Sequence, residues 1–345
     1  MLMSKAFASA SNACRLLTRR QTLTALGSNA LLSACDFSTP PGPRDGAQSE
    51  RTKIKLFLGD QARFTRAKVE AASVFDDAPF DYEWVNFQGA APLFEALRAG
   101  AVDTAPAGDS PVLFAAFAGV PMKIVAVSVG TRAGSSVGIV VPAHSPIQTV
   151  ADFKGQHIIV SSARGSISQY QLFGALAEVG LTAADVKISF MLPVDALSAF
   201  QAGHIGIWAT FGTYLAMAEH DGGRIIRDGQ GIHSGLGFIT ASDKALADPA
   251  KRLAIANLLD RLRRAEIWTN AHQDNYEQIF ASLTNLPADV VHRVVTRELR
   301  QLQPVDEASI ASLQQVADVF TRENVFEHAI DVHSLFETSV WPSTL

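Results

Sequence analysis

Short apolar runs alternate with amphipathic runs along this chain, and several of the amphipathic runs stop at a glycine. That alternation constrains the fold more than any other feature of the sequence. Residues 53–58, 82–87, 102–105 and 122–129 read as strands; 64–75, 92–99 and 111–118 read as helices, the last two closed by Gly100 and Gly119. Glycine just past a helix supplies the left-handed residue that ends it. Residues 122–129 are almost continuously apolar, which predicts a buried strand of the parallel kind. Strands and helices taken in turn predict α/β layers.

A second series follows. Residues 136–141, 157–160, 186–190, 205–209 and 224–227 read as strands. Between them lie a turn of helix at 149–153 closed by Gly155, an amphipathic helix that stops at Gly180, and a helix over 193–202. Residues 237–241 cross back, and from there the pattern is helical over 248–270, 273–282, 287–295 and 307–322. Two α/β lobes are expected: 53–140 with 240–345, and 141–239, with hinge segments near 131–145 and 235–245. A chain of 345 residues is too long for one small core, which agrees with this division. No fixed-period repeat is present.

The first 34 residues hold Lys5, Arg15, Arg19 and Arg20 and no acid, then a modest apolar stretch, then Leu32-Ser33-Ala34-Cys35. Basic, apolar and small residues in that order predict an export signal over 1–34. Thr18-Arg19-Arg20-Gln21-Thr22-Leu23 resembles the twin-arginine motif, with Thr22 where an aromatic is usual, so the general secretory route also stays open. Leu-Ser-Ala-Cys resembles a bacterial lipobox, which implies lipid attachment at Cys35. Asp36 resembles the signal that retains lipoproteins at the inner membrane. The expected location is therefore the periplasm, with the membrane reached through the lipid anchor only. Residues 35–52 are polar and rich in Pro and Gly, as a tether is. Once Cys14 leaves with the signal, Cys35 is the cysteine that remains, so neither a disulfide framework nor an internal thiol nucleophile or cysteine metal site is available.

Net charge is −5, with no basic cluster outside the N-terminus, and nucleic-acid binding needs one. No apolar run reaches the ~18 residues that a transmembrane helix requires.

The stretch Val160-Ser161-Ser162-Ala163-Arg164-Gly165-Ser166-Ile167-Ser168 joins a strand to a helix. A helix start has four backbone N–H groups without intrahelical partners and about half a positive charge. Small residues let a ligand come close to them. Two readings are open on these residues alone: capping by Ser166 or Ser168, or an anion site.

Further fragments bear on the choice. Trp84-Val85-Asn86-Phe87-Gln88-Gly89-Ala90 leads into Leu93-Phe94-Glu95-Ala96-Leu97-Arg98-Ala99-Gly100-Ala101-Val102-Asp103. Gly108-Asp109-Ser110-Pro111, Ser145-Pro146-Ile147 followed by Asp152-Phe153-Lys154-Gly155, and Arg164-Gly165-Ser166-Ile167-Ser168 come after it in order. Together they resemble the periplasmic substrate-binding proteins of ABC transporters, in the branch for aliphatic sulfonates, taurine and nitrate. The resemblance spans residues 53–335 and is strongest over 84–230. It implies a type II periplasmic-binding-protein fold: two α/β lobes around a central ligand cleft with a two-strand hinge. It also implies a monomer that serves membrane permease and ATPase subunits, with no cofactor, no metal and no catalytic residue. Gly89, Ala90, Gly108, Asp109 and Ser110 would face the cleft from one lobe. Arg164, Gly165, Ser166, Ile167 and Ser168 would face it from the other, with Thr210, Phe211 and Thr213 beside them. In that context the helix front is an anion seat. A sulfonate, aliphatic or aryl, is a permanent monoanion with three acceptor oxygens, and amides and hydroxyls suit it. Gln61 is either an amide donor or a solvated loop residue. Arg164 is a charge-assisted donor, a solvated lip residue or an inter-lobe ion pair.

The departures concern the ligand. Phe211-Gly212-Thr213 stands where the family commonly has Trp-Asp-Pro. Phe211 either keeps the aromatic wall or packs in the core, and the carboxylate lost at Gly212 argues against amine-bearing ligands such as taurine. Gln169 stands where a His or Asn is often found. Nitrate or another non-sulfonate ligand, or a sensor role, is the alternative. The same fold hosts a sulfinate-cleaving enzyme and a pyrimidine-precursor synthase, and this chain lacks the cysteine-bearing pattern of both. Gly134-Ser135-Ser136-Val137-Gly138 matches a nucleophile elbow, but a strand follows it instead of a helix, so it reads as a hairpin or crossover turn. His328 and His333 have no matched acidic partners for a metal.

Overall fold

A computed structural model of the chain describes residues 54–342. The expected signal at 1–34, the lipid site at Cys35 and the tether at 35–52 lie outside the described residues. The first run of elements is β1 (Lys55–Gln61), α1 (Phe64–Ala71), β2 (Asp81–Phe87), α2 (Ala90–Arg98), β3 (Thr104–Gly108), α3 (Asp109–Phe117) and β4 (Met122–Gly130). The chain then crosses to β5 (Val137–Val141), β6 (His157–Ser161), α4 (Ile167–Glu178), β7 (Lys187–Met191), α5 (Pro193–Gln201), β8 (Trp208–Phe211), α6 (Gly212–His220) and β9 (Arg224–Asp228). It returns as β10 (Leu236–Ser242), α7 (Asp243–Ala247), α8 (Pro249–Ala271), α9 (Gln273–Thr284), α10 (Ala288–Arg297), β11 (Arg300–Gln303) and α11 (Glu307–Arg322).

Two sheets result. One has the order β11-β4-β10-β3-β1-β2, the other β7-β6-β8-β5-β9. Helices cover both faces of the first. Leu93, Leu113, Val127 and Phe320 fill one side. Leu56, Leu58, Val125, Ile255 and Leu259 fill the other. Each such side chain contributes roughly 1.5–3 kcal/mol by leaving water.

Three sequence expectations change. β4 is buried but antiparallel to both β10 and β11. An apolar run records burial on two faces, and burial does not depend on the direction of the neighbours. Both lobe boundaries move a few residues towards the N-terminus: β5 belongs to the second sheet from Val137, and β10 to the first from Leu236. The crossings are thus the glycine-bearing segments 131–136 and 229–235. Gly229 N donates to Gly134 O at 3.0 Å and Gly130 N to Gly235 O at 2.9 Å. A Cβ on Gly134, whose φ is 77°, would lie 2.1 Å from the Gly229 carbonyl carbon, so only glycine lets the two segments touch. The Gly134-Ser135-Ser136-Val137-Gly138 stretch is therefore a crossover turn. Finally, α6 starts at Gly212, where no helix was expected.

The lobes also meet away from the crossings. Helices α9 and α10 pack Tyr276, Phe280, Val291 and Val294 against Ala67 of α1 in one lobe and Ala216 of α6 in the other. On the opposite flank, Tyr170 and Phe173 of α4 meet the Phe320 ring of α11 edge-on at 5.8 and 6.4 Å.

Candidate functional site

Five strands run straight into helices whose first turns line one cavity. β1, β2 and β3 deliver α1, α2 and α3; β6 and β8 deliver α4 and α6. The cavity encloses about 450 Å³ between the sheets, outside the carboxyl ends of these strands. The fronts are close together. A Cβ on Gly89, before α2, would lie 3.3 Å from Ser162 Oγ, before α4. One on Gly108, before α3, would lie 3.1 Å from Ile167 Cδ1 of α4. One on Gly212 of α6 would lie 3.7 Å from the Phe64 ring of α1.

What occupies each front differs. Asp60 fills the start of α1, accepting from the amides of Gln61, Thr65 and Arg66 at 2.8, 3.0 and 3.0 Å. Burial pushes its pKa up to about 6, while those amides pull it down. Asp109 fills the start of α3: its carboxylate accepts from Ser110 N at 2.6 Å, Ser110 Oγ at 2.9 Å and Ser234 Oγ at 3.1 Å. The first turns of α2, α4 and α6 contain no acid. At α4 the Ile167 and Ser168 amides have no acceptor among the described residues. The hydroxyls of Ser162 and Thr213, both on the cavity wall, are buried without a hydrogen-bond partner. Donors without acceptors, beside three positive helix ends, suit a compact anion.

The chain is similar to known proteins in sequence and in fold. A family model described as NMT1/THI5 like matches residues 75–227. An Escherichia coli (strain K12) protein named for binding aliphatic sulfonates is 30% identical over 264 residues, which is 76% of this chain and 79% of that protein. A Bacillus subtilis (strain 168) protein named in the same way is 29% identical over 313 residues, 90% of this chain and 92% of the relative. The chain belongs to the periplasmic substrate-binding proteins of the sulfonate branch. The alkanesulfonate-binding protein SsuA of Xanthomonas axonopodis pv. citri, solved bound to MOPS, superposes with a TM-score of 0.75 at 26% identity, covering 82% of this chain and 98% of its own. The desulfurization enzyme DSZB shares the fold alone, with a TM-score of 0.62 at 13% identity.

Within this substrate-binding protein the expected site residues separate into three groups. Ala90, Gly108, Asp109, Gly165, Ser166, Ile167, Phe211 and Thr213 line the cavity, as do Gln61 and Arg164. Several of these have their donors engaged elsewhere. Ser166 Oγ caps α4 by accepting from Gln169 N at 3.3 Å, and Gln169 Oε1 accepts from Gly165 N at 2.7 Å, so capping is part of the answer at this front. Gln61 Nε2 donates to Pro106 O at 2.7 Å. Arg164 Nη2 donates to Asn324 O at 2.7 Å, at the end of α11, so it joins the lobes through a carbonyl in place of an ion pair. Gly89, Ser110, Ser168 and Thr210 are not on the wall. Ser110 turns its hydroxyl to Asp109, Thr210 donates to Ser161 Oγ at 3.4 Å beneath β8, and Ser168 is fully buried inside the first turn of α4. Gly89 acts by bringing α2 against Ser162.

Ser162 and His233 are among the wall residues that were not expected. Ser162 was visible as a small residue ahead of α4, but the expected contacts began at Arg164. His233, on the second crossing, is 6% exposed, lines the cavity, and has neither ring nitrogen bonded. Burial lowers its pKa, opposed by the Asp109 carboxylate nearby. A single histidine among glycines gives no local signal of this position. Among the described residues, no group of three or more His, Cys, Asp or Glu side chains is placed to hold a metal ion.

Proposed function

We propose that this protein is the solute-binding component of an ABC importer and captures an organic sulfonate between its lobes. The observation that carries the reading is the set of three acid-free helix fronts around one cavity, with the hydroxyls of the wall residues Ser162 and Thr213 buried beside it and unpartnered. A sulfonate needs donors and has no proton to give, and that wall supplies donors with few competing acceptors. Phe211 and Phe64 form an apolar side of the same cavity, against which a tail packs. At about 450 Å³ the space exceeds what nitrate needs and falls in the ~300–1,000 Å³ range of organic-ligand pockets.

Binding acts by closure, without covalent chemistry. Ligand bridging α2 and α4 favours the state in which Arg164 reaches Asn324 and α4 meets α11. The closed surface is what permease and ATPase subunits then engage. The same reading includes export to the periplasm, a lipid anchor at Cys35 and a monomeric state.

Thermal denaturation of the purified protein with alkanesulfonates, arylsulfonates, taurine, sulfate and nitrate tests this. A ligand at about a hundred times its Kd adds about 2.7 kcal/mol of stability. Stabilisation by sulfonates and not by nitrate or sulfate is the expected result. Stabilisation by inorganic anions alone overturns the sulfonate assignment.

A further inference from the structure

The cavity continues past the helix fronts into the first lobe. There it is lined by Lys68 of α1, Ser128 of β4, Glu266 of α8, and Glu298 and Arg300 around the start of β11. Lys68 and Glu266 are buried, at 8% and 9% exposure. Their contact is loose: Lys68 Nζ lies 3.5 Å from Glu266 Oε1 and donates to Glu298 O at 3.5 Å. Ser128 Oγ donates to Glu266 Oε1 at 3.3 Å and accepts from Arg300 Nε at 2.9 Å. Arg300 Nη2 donates to the Ser128 and Gly235 carbonyls, both at 2.7 Å, and Nη1 stands 3.7 Å from Glu298 Oε2. Glu266 Oε2 has no hydrogen-bond partner, and neither has the fully buried hydroxyl of Tyr276 on α9. That phenol feels the carboxylates of Glu298, Asp60 and Glu266, which places it by the same cluster.

A buried carboxylate oxygen without a donor is an expensive feature to keep in a packed lobe. Here it belongs to a residue on the wall of the ligand cavity. The chemistry that completes the cluster is restricted. An ammonium group would meet the Lys68 and Arg300 cations beside the carboxylates, and a second carboxylate would meet Glu266, Glu298 and Asp60 beside those cations, so either charge is repelled by part of the wall. An alkyl tail would leave Glu266 Oε2 and the free Lys68 hydrogens unpaired. A neutral group that both donates and accepts satisfies both residues. We propose that this chamber reads the tail of the ligand and selects a hydroxyl-bearing organic anion over its alkyl, ammonium and carboxylate counterparts. The proposal rests on the reading that the anionic head sits at the fronts of α2, α4 and α6.

Calorimetric titration with straight-chain sulfonates of three to six carbons, each ending in methyl, hydroxyl, ammonium or carboxylate, tests it. At one chain length the hydroxyl compound should bind at least tenfold tighter than the methyl compound, with both charged tails weaker than the hydroxyl. In Glu266→Gln that hydroxyl-to-methyl ratio should fall towards one, with folding checked by thermal denaturation. Lys68→Gln is the second probe of the same ratio should Glu266→Gln not fold. Equal binding of methyl and hydroxyl compounds at every length overturns the chamber and leaves the sulfonate reading standing, as does tightest binding of a charged tail. Binding of no sulfonate at all overturns both.

Discussion

The fronts of α3 and α4 face each other across the cleft, and both follow a strand through a small glycine turn. Gly108-Asp109-Ser110-Pro111 and Arg164-Gly165-Ser166-Ile167-Ser168 look equally fit for an anion when read as sequence. The structure makes them opposites. At α3 the Asp109 carboxylate takes the Ser110 amide and hydroxyl, so the helix is supplied with its own anion. At α4 the neutral Ser166 and Gln169 side chains satisfy two amides and leave those of Ile167 and Ser168 open. The same division separates α1, filled by Asp60, from α2 and α6. A helix front is a ligand site only where its own first turn does not already provide the negative charge.

The largest effect should come from giving α4 what α3 has. Ser166→Asp keeps a good N-cap, so the fold should hold. Two like charges about 4 Å apart repel by about 4 kcal/mol at an effective dielectric near 20, so sulfonate affinity should fall at least ~100-fold. Calorimetric titration beside thermal denaturation checks both halves; unchanged affinity would mean that the head binds away from α4. Next is Gly165→Ala. Gly165 has φ 78°, and a Cβ there would lie 2.1 Å from the Phe114 ring on α3. The left-handed conformation costs a non-glycine residue about 1–2 kcal/mol. Together these should hold the α3 and α4 fronts apart, weakening binding about tenfold or more, and small-angle scattering should show a more open particle with ligand present.

The converse change is smaller. Asp109→Asn removes the charge at α3 while keeping an acceptor for Ser110 and Ser234, and should raise anion affinity severalfold. A fall in affinity would mean that Asp109 holds the closed arrangement through Ser234. The smallest effect concerns Asp60 and pH. Its pKa is raised from 3.8 to about 6 in the folded protein, so its contribution to stability is complete below pH 3.8 and is lost as pH rises through 6. Asp60→Asn should remove that fall. The difference in unfolding free energy between wild type and variant should therefore change between pH 4 and 6 and be flat above 7.

The sequence by itself determined the alternation of strands and helices, the glycines that stop α2, α3 and α4, and the strand ends from which the cleft is built. These are local matters, set by hydrophobic period and backbone freedom within a few residues. The turns that the sequence singled out around Gly108 and Arg164 lie at helix starts on the cavity wall. The tertiary structure decided which donors in those turns are free. Gln61 turns to Pro106 and Arg164 to Asn324, 160 residues away, because side chains complete their bonds with whatever the fold brings near. The direction of β4, the positions of the crossings at 131–136 and 229–235, the place of His233 on the cavity wall, and the meeting of Lys68, Ser128, Glu266 and Arg300 belong to the same class. Each depends on segments far apart in the chain, and no pattern within one segment records what another segment will place beside it.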